Sequence, residues 1–275
     1  MFSKRLLEIA SLVPVHSTVV DVGCDHALLD IYLTLHRNCV CTASDINENC
    51  LKSARENIKK YSLTDKIKVC KSDGLDSVEY NKSDYVIIAG MGTNTILKIL
   101  EKHDLENIIV QTNTDLLEFR ETITDNYIIE DEKVIKEKGI YYVIMKLKKG
   151  CKSYKFEDYV LGPIIKKKKD YLEYRKFLLE KYTDIYERIP ASNINKKLEY
   201  RLIIKSIKEH ININLYKCHF NHISNIFNKH SKHIAKLKKF ISQQLHIYYL
   251  GYTSNILLYL LYHIPIHLCI PLAIH

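Results

Sequence analysis

Short apolar runs alternate with amphipathic stretches through the first 150 residues of this 275-residue chain. Thr18–Val22 (TVVDV), Cys39–Asp45, Ile67–Cys70, Asp84–Ala89 (DYVIIA) and Asn107–Gln111 are brief runs rich in Val and Ile. They are too short for helices and predict five buried strands. Apolar residues at three- and four-residue spacings predict helices over 3–12 with Ser3 as N-cap, over 25–36, from an Asn47 cap to Tyr61, over 93–103 and over 114–125. Glu56 and Lys60 stand at the spacing of a helical ion pair. Two longer runs, Tyr127–Glu137 and Ile140–Lys148, meet at Gly139 and predict a hairpin. Strand and helix thus alternate βα five times before a closing hairpin. That order implies an α/β fold: a parallel sheet covered by helices on both faces, with an antiparallel addition at one edge.

The pattern changes after residue 150. Gly162-Pro163 marks a boundary, and one long helical pattern follows over Lys166–Arg188, with Tyr171, Tyr174, Leu178, Tyr182 and Ile185 on one side. Pro190 breaks it, and a second helix is expected over 193–210, with Leu198, Leu202 and Ile203 aligned. Residues 151–210 therefore read as a helical hairpin. Residues 211–275 are different again. They hold eight of the thirteen His, many Ile, Asn and Tyr, and no Asp or Glu. The final 20 residues are strongly apolar, but Pro265, Pro271, His263 and His267 interrupt a run that a membrane span would keep clean over about 20 residues. This tail reads as an appended soluble segment, a membrane anchor or a non-native extension. The organisation expected is a chemical module over 1–150, a basic hairpin over 151–210 and an atypical tail over 211–275.

Charge sharpens that division. Residues 1–150 carry 20 basic and 23 acidic side chains, residues 151–210 carry 15 and 9, and residues 211–275 carry six Lys and no acid, within a total of +9. A near-neutral front half and a basic back half suggest chemistry in the first and attraction of a polyanion by the second. The composition, 47% hydrophobic and 27% charged, excludes a disordered or collagen-like chain. The eight Cys form no C-x-x-C pair, so reduced thiols are expected and no metal site is. The His of the tail show no ligand spacing either. The first ten residues, with Lys4, Arg5 and Glu8, do not form a secretory signal.

The strand ends hold the candidate chemistry, because open parallel sheets bind ligands at the carboxyl ends of their strands. The first ends in Asp21-Val22-Gly23-Cys24-Asp25-His26-Ala27. Only Gly23 fits a dinucleotide fingerprint, and Asp25 stands where a second glycine would admit a pyrophosphate. An acid there repels phosphate and tolerates a cationic amino-acid group, as Asp21 does. S-adenosylmethionine, with an ammonium and a sulfonium, meets that requirement. Asp45, 22 residues after Gly23, can accept hydrogen bonds from both ribose hydroxyls. Ser72-Asp73-Gly74 offers an acid for an adenine amino group and a glycine for close approach. Ala89-Gly90-Met91-Gly92 opens space where a methyl group would meet its acceptor, and Gln111-Thr112-Asn113 ends the fifth strand. Each element is weak alone, since an acid after a strand often caps a helix. Five in register at successive strand ends are not.

With these residues in view, the sequence resembles the bacterial tRNA (adenine(22)-N1)-methyltransferase family, known as TrmK. The resemblance covers about residues 2–210. It is carried by SKRL at Ser3–Leu6, DVGCDHALL at Asp21–Leu29, SDIN at Ser44–Asn47, SDGL at Ser72–Leu75, IAGMG at Ile88–Gly92, QTN at Gln111–Asn113 and LGP at Leu161–Pro163. Two positions depart from the family pattern: Thr93 stands where a glycine is usual, and Thr112 where a proline is usual. The resemblance implies a Rossmann-like class I methyltransferase sheet followed by a coiled-coil-like helical hairpin. It implies methyl transfer from S-adenosylmethionine to N1 of an adenine in the D-arm region of tRNA. The cofactor set it implies is Asp21, Gly23, Asp25, His26, Asp45, Ile46, Asp73, Gly74, Ala89, Gly90 and Met91. The set placed at the reacting atoms is Asp25, His26, Met91 and Asn113.

N1 of adenine lies on the Watson–Crick edge, so the base must be exposed or flipped. Lys4, Arg5 and the hairpin residues Lys166, Lys167, Lys168, Lys169, Arg175 and Lys176 are expected to grip tRNA phosphates, contacts that position without specifying sequence. A monomer in the cytoplasm, with tRNA as partner and no metal or membrane, is the expected setting. Two other readings stand beside this one. A methyltransferase acting on exocyclic amino groups would carry N/D-P-P-aromatic after the fourth strand, where this chain has AGMG. An RNA-binding protein that kept the fold without the activity is the other.

Overall fold

The computed structural model describes residues 2–168 and 171–228, with side chains as far as residue 211. Residues 1–214 form one compact unit and 215–275 a second. Of the second, only backbone up to residue 228 is described, so the expectations for the apolar end of the tail, and for Lys169, fall outside the described residues.

Five parallel strands build the sheet: β1 (Thr18–Val22), β2 (Val40–Asp45), β3 (Ile67–Lys71), β4 (Tyr85–Met91) and β5 (Asn107–Thr112). The hairpin strands β6 (Tyr127–Glu137) and β7 (Ile140–Lys149) turn at Gly139, whose φ of +84° suits a residue without a Cβ. The strand order is β3-β2-β1-β4-β5-β7-β6, with β7 antiparallel to β5. The chain leaves β1 for one side and later crosses to β4 on the other. The crevice between the ends of β1 and β4 is therefore the topological switch point.

Alternate residues of each central strand face opposite layers. Val19, Ile87 and Ile109 pack beneath α1 (Lys4–Leu12), α2 (Leu28–Arg37) and α3 (Glu48–Lys60). Val20, Val22, Ile88 and Val110 face the other side, with Ile96 of α4 (Thr93–Lys102) and Phe119 of α5 (Leu116–Ile123). Tyr174 and Leu178 of α7 (Leu172–Arg188) and Ile203 and Ile207 of α8 (Ile194–Asn228) join this second cluster, so the helical hairpin packs directly on the sheet. The short α6 (Phe156–Leu161) leads into it. Capping follows the sequence: Ser3 Oγ accepts the Leu6 N–H at 3.2 Å, and Asn47 Oδ1 accepts the Asn49 N–H at 2.9 Å.

Several expectations need correction. The second helix begins at Leu28, not at residue 25, because Asp25 and Ala27 take left-handed φ values of +51° and +54°. No helix joins β3 to β4. Residues 72–84 form turns pinned by buried Leu75 and Val78, so βα repeats four times and not five. The pattern over 166–188 splits into a 3-10 turn at Ile165–Lys167 and a helix from Leu172. The last helix runs on past 210 to Asn228, a stretch with no Gly or Pro to end it. Glu56 and Lys60 form no ion pair in α3, whose Glu48 instead takes Arg55 at 2.7 Å. Among the described residues no helix is long and apolar enough to cross a membrane.

Candidate active site

The turn after β1 is the most strained segment of the sheet edge. Gly23, Asp25 and Ala27 all have positive φ, two of them with side chains that disfavour it. The turn is held by Gly23 and Cys24 N–H groups donating to the Ser44 carbonyl at 2.8 and 2.9 Å. A Cβ at Gly23 would lie 2.6 Å from the Met91 methyl, so that flexible side chain would have to shift. The β1 turn and the end of β4 are thus in contact across the switch point. A small cavity of about 160 Å³ opens there, lined by Arg5, Asp21, Gly23, Asp25, His26 and Ala89 among others.

Asp45, at the end of β2, accepts the Asn47 N–H at 2.8 Å and the Asp25 N–H at 3.2 Å, one on each carboxylate oxygen. Each oxygen keeps a lone-pair direction free, as a ribose diol requires. Ile46 beside it is 63% exposed, an apolar surface at the rim. Asp25 and His26 are both exposed, with Nε2 of His26 3.5 Å from the Asp25 carboxylate. Asp73 is exposed at the end of β3, and Gly74 follows at φ +57°, where a Cβ would press on Ile99 at 3.1 Å. The left-handed φ and the tight approach to α4 both favour glycine here.

The end of β4 is tied to the end of β5. The Asn113 side-chain amide donates to the Gly90 carbonyl at 2.7 Å, and its backbone N–H donates to the Met91 carbonyl at 2.8 Å. Gln111 donates to Asn113 Oδ1 at 2.9 Å, and Arg5 Nη1 donates to Gln111 Oε1 at 3.2 Å. Arg5 also lies over the Tyr142 ring, 4.9 Å from its centroid. Arg5 is thus a member of the site's scaffold, not the free phosphate contact expected of it. Its Nε is buried and unpaired. Beyond Asn113 a larger cleft of about 830 Å³ runs between the sheet and the hairpin, walled by Tyr141, Phe177, Tyr182 and Tyr200.

The two departures from the family pattern meet. Thr93 Oγ1 and Thr112 Oγ1 are buried within hydrogen-bond distance of each other, at 2.9 Å, and of the Thr114 carbonyl, at 2.6 and 2.9 Å. Other expected roles change as well. Arg175 is fully buried, and its Nη2 donates to the carbonyls of Ile165, Lys166 and Lys168, so it cannot reach phosphate. Lys166 pairs with Glu157 and Asp158, and Lys168 with Asp131 at 3.2 Å, while Lys176 pairs with Glu173 at 2.9 Å. Lys4 and Lys167 remain exposed.

Sequence reasoning missed one acid altogether. Asp30 is fully buried, on the inner face of α2, with neither carboxyl oxygen receiving a well-formed hydrogen bond from a donor. Its side chain meets that of Asp21. Asp21 shares the face of β1 that α2 covers, and Asp30 and Thr34 are four apart on the buried side of that helix. Burial pushes Asp21 up to about 7, against the lowering effect of the Asp30 hydrogen bond and with a further push from Asp45. Burial, then the Asp21 charge, holds Asp30 well above the usual carboxylate range. Burial likewise raises the Cys24 thiol, and Asp21, Asp30 and Asp45 add to the effect. Among the described residues no group of three or more His, Cys, Asp and Glu is placed to hold a metal ion.

This strand order, with a glycine turn after β1 and an acid after β2, defines a nucleoside-cofactor enzyme of the methyltransferase class. A family model described as a methyltransferase domain matches residues 2–145. The tRNA (adenine(22)-N(1))-methyltransferase of Bacillus subtilis (strain 168) is 31% identical over 202 residues, 68% of this chain and 85% of that one. The solved structure of M. capricolum TrmK in complex with S-adenosylhomocysteine has 31% identity and a TM-score of 0.68, covering 78% of this chain and 99% of that one. That of the B. subtilis M1A22 tRNA methyltransferase TrmK has 28% identity and a TM-score of 0.68, covering 77% and 99%. The chain belongs to the tRNA (adenine(22)-N1)-methyltransferase family.

Proposed function

We propose that this chain transfers a methyl group from S-adenosylmethionine to N1 of adenine 22 in tRNA, the reaction for which its B. subtilis relative is named. The observation that carries this reading is the Asp45 carboxylate, locked by two backbone N–H groups at the end of β2, next to the β1 turn, with a free lone-pair direction on each oxygen. The cavity beside the β1 turn suits the amino-acid end of the cofactor. Acids at Asp21 and Asp25 suit an ammonium group, and the left-handed φ of +78° at Gly23 favours glycine in the turn between them.

In this reading Asp45 holds the ribose, Ile46, Asp73 and Gly74 flank the adenine, and Asp21, Gly23, Asp25 and His26 hold the amino-acid end. When bound, S-adenosylmethionine supplies an electrophilic methyl group. N1 of adenine carries its lone pair in the ring plane, so no proton need leave before attack. Positioning and exclusion of water are then the protein's tasks. Ala89, Gly90 and Met91 face the methyl acceptor, and the Gln111–Asn113 tie holds their carbonyls in place. The product base is cationic, and those carbonyls, with Asp25, stabilise the charge as it develops. The exposed Lys4 and Lys167 contact tRNA phosphate, and the reaction is placed in the cytoplasm with the monomer as the working unit.

Incubating the full chain with radiolabelled cofactor and unmodified tRNA, then mapping the product, tests the proposal. The expected product is 1-methyladenosine at position 22, lost in Asp45→Ala, which also weakens S-adenosylhomocysteine binding roughly ten- to a hundredfold, as loss of hydrogen bonds to a charged group implies. Label on an exocyclic amino group would point to the other enzyme class. Cofactor binding without label on tRNA would point to an RNA-binding protein without the activity.

A further inference from the structure

Asp30 is an acid with no task in the reaction as described. Its carboxyl group is fully buried, and neither oxygen is satisfied by a donor. An isolated buried carboxylate costs several kcal/mol, and the ordinary outcome is that it keeps its proton. The group it meets, Asp21, is only 5% exposed and lines the cavity assigned to the amino-acid end of the cofactor. Two carboxyls in contact form a hydrogen bond only if one of them carries a proton.

We infer that Asp30 stays protonated and sets the charge of Asp21, so that capture of the cofactor's ammonium group expels a proton from the Asp21–Asp30 pair into solvent. The inference rests on the cofactor reading above and adds a positioning residue to it. Asp30 does not touch the cofactor. It donates its O–H to Asp21, and the proton lost on binding is the one on Asp21: that O–H bond breaks, the proton goes to water, and the carboxylate left behind faces the ammonium. The direction of titration agrees, since burial raises Asp21 to about 7 and holds Asp30 well above the usual carboxylate range.

None of the other surrounding groups forms a hydrogen bond with the Asp30 carboxyl. β2 contributes Asp45 and the raised thiol of Cys41, and the β1 turn contributes Cys24, also a protonated thiol. α1 contributes Arg5, whose guanidinium is turned to Gln111 and Tyr142. Asp25 and His26 line the same cavity from the turn. The pair therefore titrates as a unit, and its protons belong to both residues together.

Isothermal titration of the full chain with S-adenosylhomocysteine, in buffers of different ionisation enthalpy, reads the released proton directly. Near neutral pH the wild type is expected to release a large fraction of one proton, and its affinity to rise about tenfold per pH unit below the midpoint, then level off. Asp30→Asn keeps a neutral donor toward Asp21 and is expected to leave this profile in place. Asp30→Leu removes the donor. It is expected to move the midpoint up and to weaken binding at neutral pH about tenfold or more, with circular dichroism confirming the fold. If Asp30→Leu does not fold, the wild type and Asp30→Asn still decide. Buffer-independent heats in the wild type, or an Asp30→Asn midpoint well away from the wild-type one, overturn the inference. An unmoved midpoint in folded Asp30→Leu would show that Asp30 does not set the charge of Asp21 and overturn it too. Binding without proton release removes the pair alone, whereas no binding at any pH removes the cofactor reading with it.

Discussion

Thr93 and Thr112 show how two single positions become one feature. Each replaces a residue that has no side-chain donor, and each hydroxyl is buried where an unpaired polar group is costly. Their hydroxyls solve the problem jointly: one donates to the Thr114 carbonyl and the other to its partner's oxygen, 2.9 Å away. The result braces the turn after β5 against the start of α4, beside the residues assigned to the methyl acceptor. Thr93→Val and Thr112→Val, which keep shape and remove one hydroxyl each, should each destabilise the protein by roughly 1–3 kcal/mol. The double variant should cost clearly less than the sum of the two, because the second change no longer strands a partner. Urea denaturation of the four proteins measures this, and strict additivity would show that the hydroxyls act independently.

The helical hairpin is anchored to the sheet by one buried group of charges. Glu132 of β6 accepts Arg120 Nε of α5 at 2.9 Å and the Ile164 N–H at 2.9 Å, while Arg120 Nη1 donates to the Tyr159 carbonyl at 3.0 Å. The chain reaches this carboxylate through Gly162, at φ +91°, where a Cβ would stand 2.7 Å from Arg120 Nη2 and from a Glu132 oxygen. This explains the Leu161-Gly162-Pro163 string physically. The glycine lets the backbone close over the ion pair, and the 3-10 turn beyond it is then held by Arg175 through three carbonyls. Glu132→Ala leaves Arg120 buried without its counter-charge and should cost about 3–5 kcal/mol. Chemical denaturation is the measurement, and a loss well under about 1 kcal/mol, the range of an exposed pair, would mean that the group does not anchor the hairpin.

For the molecule as a whole, the raised carboxyls of Asp21 and Asp30 dictate a pH dependence of stability. Unfolded, each titrates near 3.8, whereas folded Asp21 sits at about 7 and Asp30 above the usual range. Between those values the folded chain binds more protons than the unfolded one, so raising the pH lowers stability through this window. Glu121, raised by burial and then by Glu199 and Glu118, adds in the same sense. Glu48, Asp76 and Asp104 are held down, chiefly by hydrogen bonds from Arg55, Lys102 and Lys82, and act oppositely at lower pH. The Tm of the ligand-free protein should fall from about pH 5 to about pH 7, and Asp30→Asn should reduce the fall by removing one of the extra protons. Equal slopes for the two proteins in a melting series would show that Asp30 titrates as it does in the unfolded chain.

Element type and order were written locally in the chain. The short continuous apolar runs TVVDV and DYVIIA, and the caps at Ser3 and Asn47, follow from neighbours a few residues apart. The candidate acids Asp25, Asp45 and Asp73 could be picked out from the sequence because a parallel sheet brings the ends of successive strands to one edge, so an acid after a strand needs no distant information. What tertiary structure alone decided is which polar groups lose their water. Arg175 reads as one more cation in a basic run, yet carbonyls of a preceding turn claim it, while Arg5 is drawn into the site by Gln111, over a hundred positions away. Asp30 reads as a polar position on a helix until β1 places Asp21 against it. Local periodicity sets which face of an element is buried. Whether a charge on that face is paired, shared or neutralised depends on residues that only the assembled sheet brings near.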